Sequence, residues 1–384
     1  MKYVARAIEP ELKKAVRQFP VLVLTGPRQT GKSTLLKHLF KKYKYLTFDD
    51  PSLRYSAKKD PGLFIENLGL PVILDEIQYA PELLPYIKIA VDQTGQRKGQ
   101  FILTGSQIFP LMAGISESLA GRAVLFELLG FSWEELKKIP EKASDCYSRM
   151  QRGFYPVPAL RKIDARNYYG SYIAAYLERD IRQVQNVHDM VLFQKFLQLT
   201  SARAGNILNL NEIGKECGIT FTTARRWLSL LESTRIVYLL RPYYRNVSKR
   251  VVKSPKLYFT DTGLLAYLLK YGNKDTLMAG PQAGAFFENM VIAEVLKRKF
   301  NHNLRYELYF YRDTNGNEAD MVLDYGDKIV IAEIKSAKTI TPKFADFAGR
   351  IPIRKSQAYL LSFYNQELNL TGNVKAVPWW KFNP

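Results

Sequence analysis

The sequence predicts an α/β chain in three parts: a parallel-sheet domain over residues 1–130, a helical segment over 131–262 and a second α/β domain over 263–384. Three observations predict it. An apolar run at 21–26 leads through the glycine-bracketed loop GPRQTGKS into an amphipathic helical stretch. Residues 210–234 read as helix, short glycine-containing turn and helix. Residues 286–336 read as one helix followed by three short apolar strands.

The first part begins with the buried strand VLVLTG and a helix from Gly31 whose Leu35, Leu36 and Leu39 share one side. Between them GPRQTGKS fits G-x-x-x-x-G-K-[ST] in the strand–loop–helix setting that phosphate binding requires. Gly26 and Gly31 let the backbone bend so that successive N–H groups face phosphate oxygens, with Pro27, Arg28, Gln29 and Thr30 completing the loop. Lys32 is expected to reach the β- and γ-phosphates, Ser33 to offer its hydroxyl to Mg2+, and Thr34 to contact phosphate. A second strand, PVILDEIQ, ends in Asp75, expected to hold Mg2+, and Glu76, expected to polarise the attacking water of ATP hydrolysis. A third, QFILTGSQ, ends in Thr104 and Ser106, placed to sense the γ-phosphate; for Ser106, capping the next helix is an equal alternative.

GPRQTGKST, ILDEIQ, FILTGSQ, SLAGRA and LERDI, in that order, resemble the AAA-type P-loop ATPases, specifically a bacterial and archaeal group whose core precedes a C-terminal region of unknown function. The resemblance covers nearly the whole chain. It implies ATP and Mg2+ as cofactors, a homo-oligomer in some members, and Arg122 of SLAGR as an arginine finger or sensor; a salt bridge at a helix end is the alternative for Arg122.

The middle part carries the charge. The chain has a net charge of +20, and residues 1–130, 131–260 and 261–384 hold 18, 22 and 16 basic against 12, 11 and 13 acidic side chains. Nine basic residues lie between Arg225 and Lys256 against Glu232 alone. In LNEIGKECGITFTTARRWLSLLEST, Asn211 or Asn209 is expected to cap the first helix and Thr220 or Thr222 the second, with Trp227 in the core. RIVYLLRPYY and PKLYFTD then read as strands joined by the basic stretch NVSKRVVKS, and the whole resembles a winged helix. In a DNA-binding winged helix, Arg225 and Arg226 would face bases or phosphates while Lys249, Arg250 and Lys253 hold the backbone; the same fold also serves as a protein-docking module.

The third part opens with a helix carrying Phe287, Met290, Val291 and Val295 on one side, followed by LYFYRD, EADMVLDYG and KIVIAEIKS. Helix, meander and a strand ending E-x-K resemble the restriction-endonuclease-like nucleases. From that resemblance Glu288, Asp320 and Glu333 are expected to bind Mg2+ or Mn2+, with Lys335 beside the attacking water and Gln357 on a later helix. Glu333 and Lys335, two apart on a strand, share a face.

Composition bounds the rest. At 47% apolar and 24% charged the chain is ordinary and globular, and no apolar run approaches the roughly 18 residues of a membrane span. The N-terminal stretch lacks a secretory pattern, and Cys146 and Cys217 stand far apart, so a soluble, cytoplasmic protein without disulfides is expected. Two functions compete: an ATPase that binds DNA through the basic segment and cleaves or remodels it, and a regulatory ATPase that switches a protein partner over an inactive nuclease-like scaffold.

Overall fold

The computed structural model describes residues 3–106, 118–137, 146–177, 190–243, 254–313, 315–353, 356–364, 366–370 and 373–383. They form two compact units: Met1–Phe131 with Ser233–Arg235 and Phe300–Leu304, and Ser132–Glu232 with Ile236–Lys299 and Arg305–Pro384.

The first unit is built on five parallel strands, β1 (Val21–Thr25), β2 (Lys44–Thr47), β3 (Val72–Asp75), β4 (Phe101–Gly105) and β5 (Ala123–Glu127), in the order β2-β3-β4-β1-β5. The central strands are apolar at nearly every position because both faces of the sheet are covered. Val21 and Val23 pack with Leu84, Ile87 and Val91 of the helix Leu83–Gln93. Leu22 and Leu24 point the other way, to Leu35 and Leu36 of the helix Lys32–Leu39. Parallel register aligns the carboxyl ends of β1, β3 and β4, so the loops carrying the sequence motifs leave the same edge.

The second unit holds eight strands: β6 (Val237–Pro242), β7 (Lys256–Phe259), β8 (Glu307–Arg312), β9 (Glu318–Asp324), β10 (Ile329–Lys335), β11 (Ser356–Ser362), β12 (Leu368–Asn369) and β13 (Val374–Pro378). Their order is β12-β13-β11-β10-β9-β8-β6-β7. The helices Leu210–Cys217 and Phe221–Ser233 flank a turn at Gly218, whose φ of 82° suits glycine. Asn209 Oδ1 accepts from Glu212 N–H at 3.3 Å and Thr220 Oγ1 from Thr223 N–H at 3.2 Å, so these two residues are the caps. Trp227 is buried against Phe193 and Phe196.

β6 and β7 pair as the expected two strands, and β6 also pairs in parallel with β8, Arg241 opposite Tyr309, which places them at the edge of the C-terminal sheet. One sheet therefore runs on both sides of the expected 262/263 boundary. Gln357 lies on β11 rather than a helix, paired in parallel with Val330 of β10. Hydrogen bonding to β10 and β13 on either side wins over the helical reading of an apolar run that fits both periods.

Among the described residues no helix is long and apolar enough to cross a membrane.

Candidate nucleotide site and a second carboxylate cluster

The loop after β1 is shaped by close approach. Gly26 has φ of 138°, and a Cβ there would lie 2.1 Å from the Leu128 carbonyl oxygen, so only glycine fits. Gly31, at φ 92°, turns the chain into the helix Lys32–Leu39, leaving that helix's first N–H groups directed at the loop without a side-chain cap. Thr30 Oγ1 donates to the Pro27 carbonyl at 2.9 Å, and Lys32 Nζ donates to the carbonyls of Gly26 at 2.8 Å and Pro27 at 2.9 Å. Arg28 donates through Nη2 to the Tyr79 hydroxyl at 2.8 Å. Beneath the loop, buried Arg6 donates to the Thr30 carbonyl at 2.9 Å and the Leu129 carbonyl at 2.9 Å, with its guanidinium carbon 4.6 Å from the Phe131 ring centre.

Asp75 is the meeting point of three strands. Its Oδ2 accepts from Ser33 Oγ at 2.8 Å and from the Tyr45 hydroxyl, and its Oδ1 accepts from Thr104 Oγ1 at 3.0 Å. Burial, then the bond to Asp75, push the Tyr45 phenol well above its ordinary range, so it stays a donor. All three partners are neutral hydroxyls, so the charge of a 4% exposed carboxylate has no cation beside it among these contacts. An oxygen donor set of carboxylate and hydroxyl suits a hard cation such as Mg2+.

Glu76 sits next to it in a left-handed conformation, φ 56° and ψ 45°, which turns its side chain off the strand direction. Its Oε2 accepts from Gln78 Nε2 and from Ser106 Oγ at 3.3 Å, while Gln78 Nε2 also lies 3.2 Å from Ser106 Oγ. Thus Ser33, Asp75, Glu76, Thr104 and Ser106 gather at the carboxyl edge of one sheet. The helix that Ser106 was expected to cap falls outside the described residues.

Arg122 does not join them. The Val21 N–H donates to its carbonyl at 3.2 Å, placing it at the amino end of β5, a strand length of about 16 Å from the loop at ~3.3 Å per residue. Its guanidinium donates to both oxygens of Asp92, at 2.6 and 2.8 Å, at the end of the helix Leu83–Gln93. Within its own chain the salt-bridge alternative is the one found.

The second unit also brings its expected residues together, but around a lysine. Lys256, at the start of β7 and 5% exposed on its side chain, extends Nζ to Glu318 Oε1 at 2.6 Å, Glu288 Oε1 at 3.1 Å and Asp320 Oδ1 at 3.4 Å. Tyr258 donates to Glu288 Oε1 at 2.5 Å, and the Ile334 N–H donates to Asp320 Oδ2 at 2.9 Å. Glu333 is held by Lys335 at 2.6 Å through Oε1, while its buried Oε2 accepts no hydrogen bond from the described residues. Burial, followed by the nearby Asp320 charge, pushes the Glu288 and Glu333 carboxyls up to about 7. Burial alone would lower the Lys256 ammonium, but Glu288, Asp320 and Glu318 together raise it, so it stays charged. A cavity of about 260 Å³ opens beside Glu318, Glu333 and Lys335, with Lys343 and Arg350 also lining it.

Among the described residues no group of three or more His, Cys, Asp or Glu side chains is arranged to hold a metal ion. Glu288, Asp320 and Glu333, expected to gather around Mg2+ or Mn2+, are engaged in ion pairs: the Lys256 ammonium lies against Glu288 and Asp320, and Lys335 against Glu333.

Of the expected nucleic-acid contacts, Arg225 and Arg226 are exposed on the helix Phe221–Ser233; Lys249, Arg250 and Lys253 lie outside the described residues. Sequence reasoning missed Arg6, Tyr45, Gln78, Lys256, Tyr258 and Glu318. The nine-residue basic count included Lys256, but only as surface charge.

A parallel sheet with this glycine-bracketed loop and an acid pair at its carboxyl edge defines a P-loop ATPase of the AAA type, and residues 18–137 match the AAA domain family. Residues 144–275 and 283–382 match two domains of unknown function, DUF8612 and DUF4143. The chain belongs to one family with the uncharacterized proteins Rv2008c of Mycobacterium tuberculosis and Mb2031c of Mycobacterium bovis: it is 31% identical to each over 96% of its own length and 82% of theirs. The Walker-type ATPase PABY2304 of Pyrococcus abyssi is similar at 16% identity and a TM-score of 0.45, over 68% of this chain and 94% of that one.

Proposed function

We propose that the chain hydrolyses ATP with Mg2+ at the loop of residues 26–33 and couples the turnover to DNA held by the basic middle segment. The observation that carries the ATPase half is Asp75, whose oxygens accept from Ser33, Tyr45 and Thr104, a set of carboxylate and hydroxyl oxygens suited to Mg2+. Bound there, Mg2+ would neutralise charge on the β- and γ-phosphates. Lys32 would exchange its bonds to the Gly26 and Pro27 carbonyls for phosphate oxygens. Glu76, oriented by Gln78 and Ser106, would take the proton of the attacking water. Residues 27–31, Thr34, Thr104 and Ser106 complete the cradle.

In this reading residues 1–130 are the ATPase core, 131–262 carry a winged-helix-like reader and 263–384 a nuclease-like domain. Arg225 and Arg226 supply exposed cations to phosphates, joined by Lys249, Arg250 and Lys253. The C-terminal domain binds or braces rather than cuts, since its acids are already paired with Lys256 and Lys335. Arg122 acts on ATP only toward a neighbouring copy in a homo-oligomer, because its own loop lies at the far end of the sheet. The compartment proposed is the cytoplasm.

ATP turnover measured with and without duplex and single-stranded DNA tests the coupling. Stimulation by either DNA, with no loss of DNA length in the presence of Mn2+, is the expected result. Turnover indifferent to DNA overturns the coupling in favour of a protein partner, and cleavage that vanishes in Asp320→Ala overturns the bracing role.

A further inference from the structure

We propose that the Lys256 ammonium is the resident cation of the C-terminal carboxylate cluster, taking the place that a divalent metal would otherwise fill, so that the chain binds no such metal there. This goes beyond the ATPase reading and does not depend on it.

Three features point to it. An ammonium has three N–H donors, and Lys256 Nζ has three carboxylate neighbours, Glu318 at 2.6 Å, Glu288 at 3.1 Å and Asp320 at 3.4 Å, so its donors are all committed. Two elements supply the acids, Glu288 from the helix Ala283–Asn301 and Glu318 with Asp320 from β9, and a third, β7, supplies the cation that all three contact. The surrounding bonds also fix the acids for this cation: Tyr258 donates to the same Glu288 oxygen that Lys256 contacts, and the Ile334 N–H occupies the second Asp320 oxygen.

Placement of Lys256 explains how a fold can keep these acids without a metal. β7 is bound on one edge to β6, and on its other edge the Gly205 N–H donates to the Leu257 carbonyl at 2.7 Å and the Leu257 N–H to the Asn206 carbonyl at 3.1 Å. Its backbone is fixed on both sides, so the ammonium is delivered to the acids by the sheet itself. A divalent ion bound between Glu288 and Asp320 would stand directly against that ammonium, and like charges in a buried site repel strongly. The lysine and a metal are therefore alternatives.

The test uses the full chain with Asp75→Asn throughout, so that Mn2+ is not taken up at the ATP site. Mn2+ is titrated by electron paramagnetic resonance, and thermal unfolding is followed with and without Mn2+. The expected result is no Mn2+ uptake by the protein carrying Lys256. Lys256→Met should take up about one ion, melt lower than its parent without metal, and regain several degrees with Mn2+ in excess of its Kd. Adding Asp320→Asn should abolish both uptake and recovery. If Lys256→Met does not fold, Lys256→Met with Glu318→Gln, which removes one of the surplus charges, carries the same comparison. Uptake by the Lys256 protein that is lost in Asp320→Asn overturns the proposal, because metal and lysine would then coexist. Absence of uptake in the folded Lys256→Met protein overturns it equally, because the cluster would then have no metal for the lysine to replace.

Discussion

The two units solve the same electrostatic problem in opposite ways. Each buries carboxylates on its sheet, Asp75 at the end of β3 in the first and Asp320 within β9 in the second, both under 7% exposed. Asp75 is satisfied by hydroxyls, which stabilise the anion by hydrogen bonding but leave its charge to be matched by something brought from outside. Asp320 and its neighbours lie against ammonium groups built into the chain. A carboxylate held by neutral donors is prepared for a cation that comes and goes with nucleotide; one held by lysine is closed to exchange. The difference shows that a buried acid cluster, by itself, does not announce a metal. What its donors are decides.

The sharpest break of this comparison is at the first unit's acids. Glu76→Gln is expected to lower ATP turnover by about 10²–10⁴-fold while leaving nucleotide bound, measured by phosphate release beside a filter-binding assay. Lys32→Ala should instead weaken the binding itself. Turnover at the parent rate in Glu76→Gln would move water activation to another residue.

The next largest effect belongs to the second unit. Removing one partner of a buried ion pair leaves uncompensated charge, so Lys256→Met should destabilise this unit by about 3–5 kcal/mol in denaturant unfolding. An unchanged midpoint would show that the lysine is incidental to the cluster.

Protonation sharpens the contrast further. Glu288 and Glu333 rise from an ordinary 4.5 to about 7 in the folded protein, so between those values the folded state holds more protons than the unfolded one. Stability from these groups is full below about pH 4.5, falls as pH rises toward 7, and is level above it. Compared with a Glu288→Gln, Glu333→Gln double variant, the parent should lose unfolding free energy over that window; a constant difference would contradict the burial of these acids.

The smallest expected effect concerns DNA. Arg225→Ala with Arg226→Ala should reduce the slope of log affinity against log salt by about two units, as two phosphate contacts are lost. An unchanged slope would assign the helix Phe221–Ser233 to protein docking.

How much of this was legible depended on sequence distance. The phosphate loop and Asp75 were readable because local motif and mechanism coincide: each glycine and each hydroxyl has one place in a strand–loop–helix unit. Tyr45 and Arg6 were not, since each reaches the site from an element with no motif of its own, and a tyrosine on a half-buried strand reads as core. Glu288, Asp320, Glu333 and Lys335 were found, and Glu333 and Lys335 share a face as the period of two requires. Their contact with Lys256 was not legible, because that lysine reads as one more charge in a basic run. Only the pairing of β6 with β8 draws it under the acids. Gln357 was misread for a related reason: a strand flanked on both sides, by β10 and β13, shows little of the alternation that distinguishes strand from helix.

The pairing of β6 with β8 also bears on how the protein is made. Arg241 meets Tyr309, so the hairpin leaves the ribosome well before the strand that covers its edge has been translated. Until then the end of β6 at Arg241 and Pro242 lacks that partner and stands as an open template for another nascent copy. A chain that stalls or is cut before Glu307 should therefore aggregate, while one that continues through Arg312 closes its own edge.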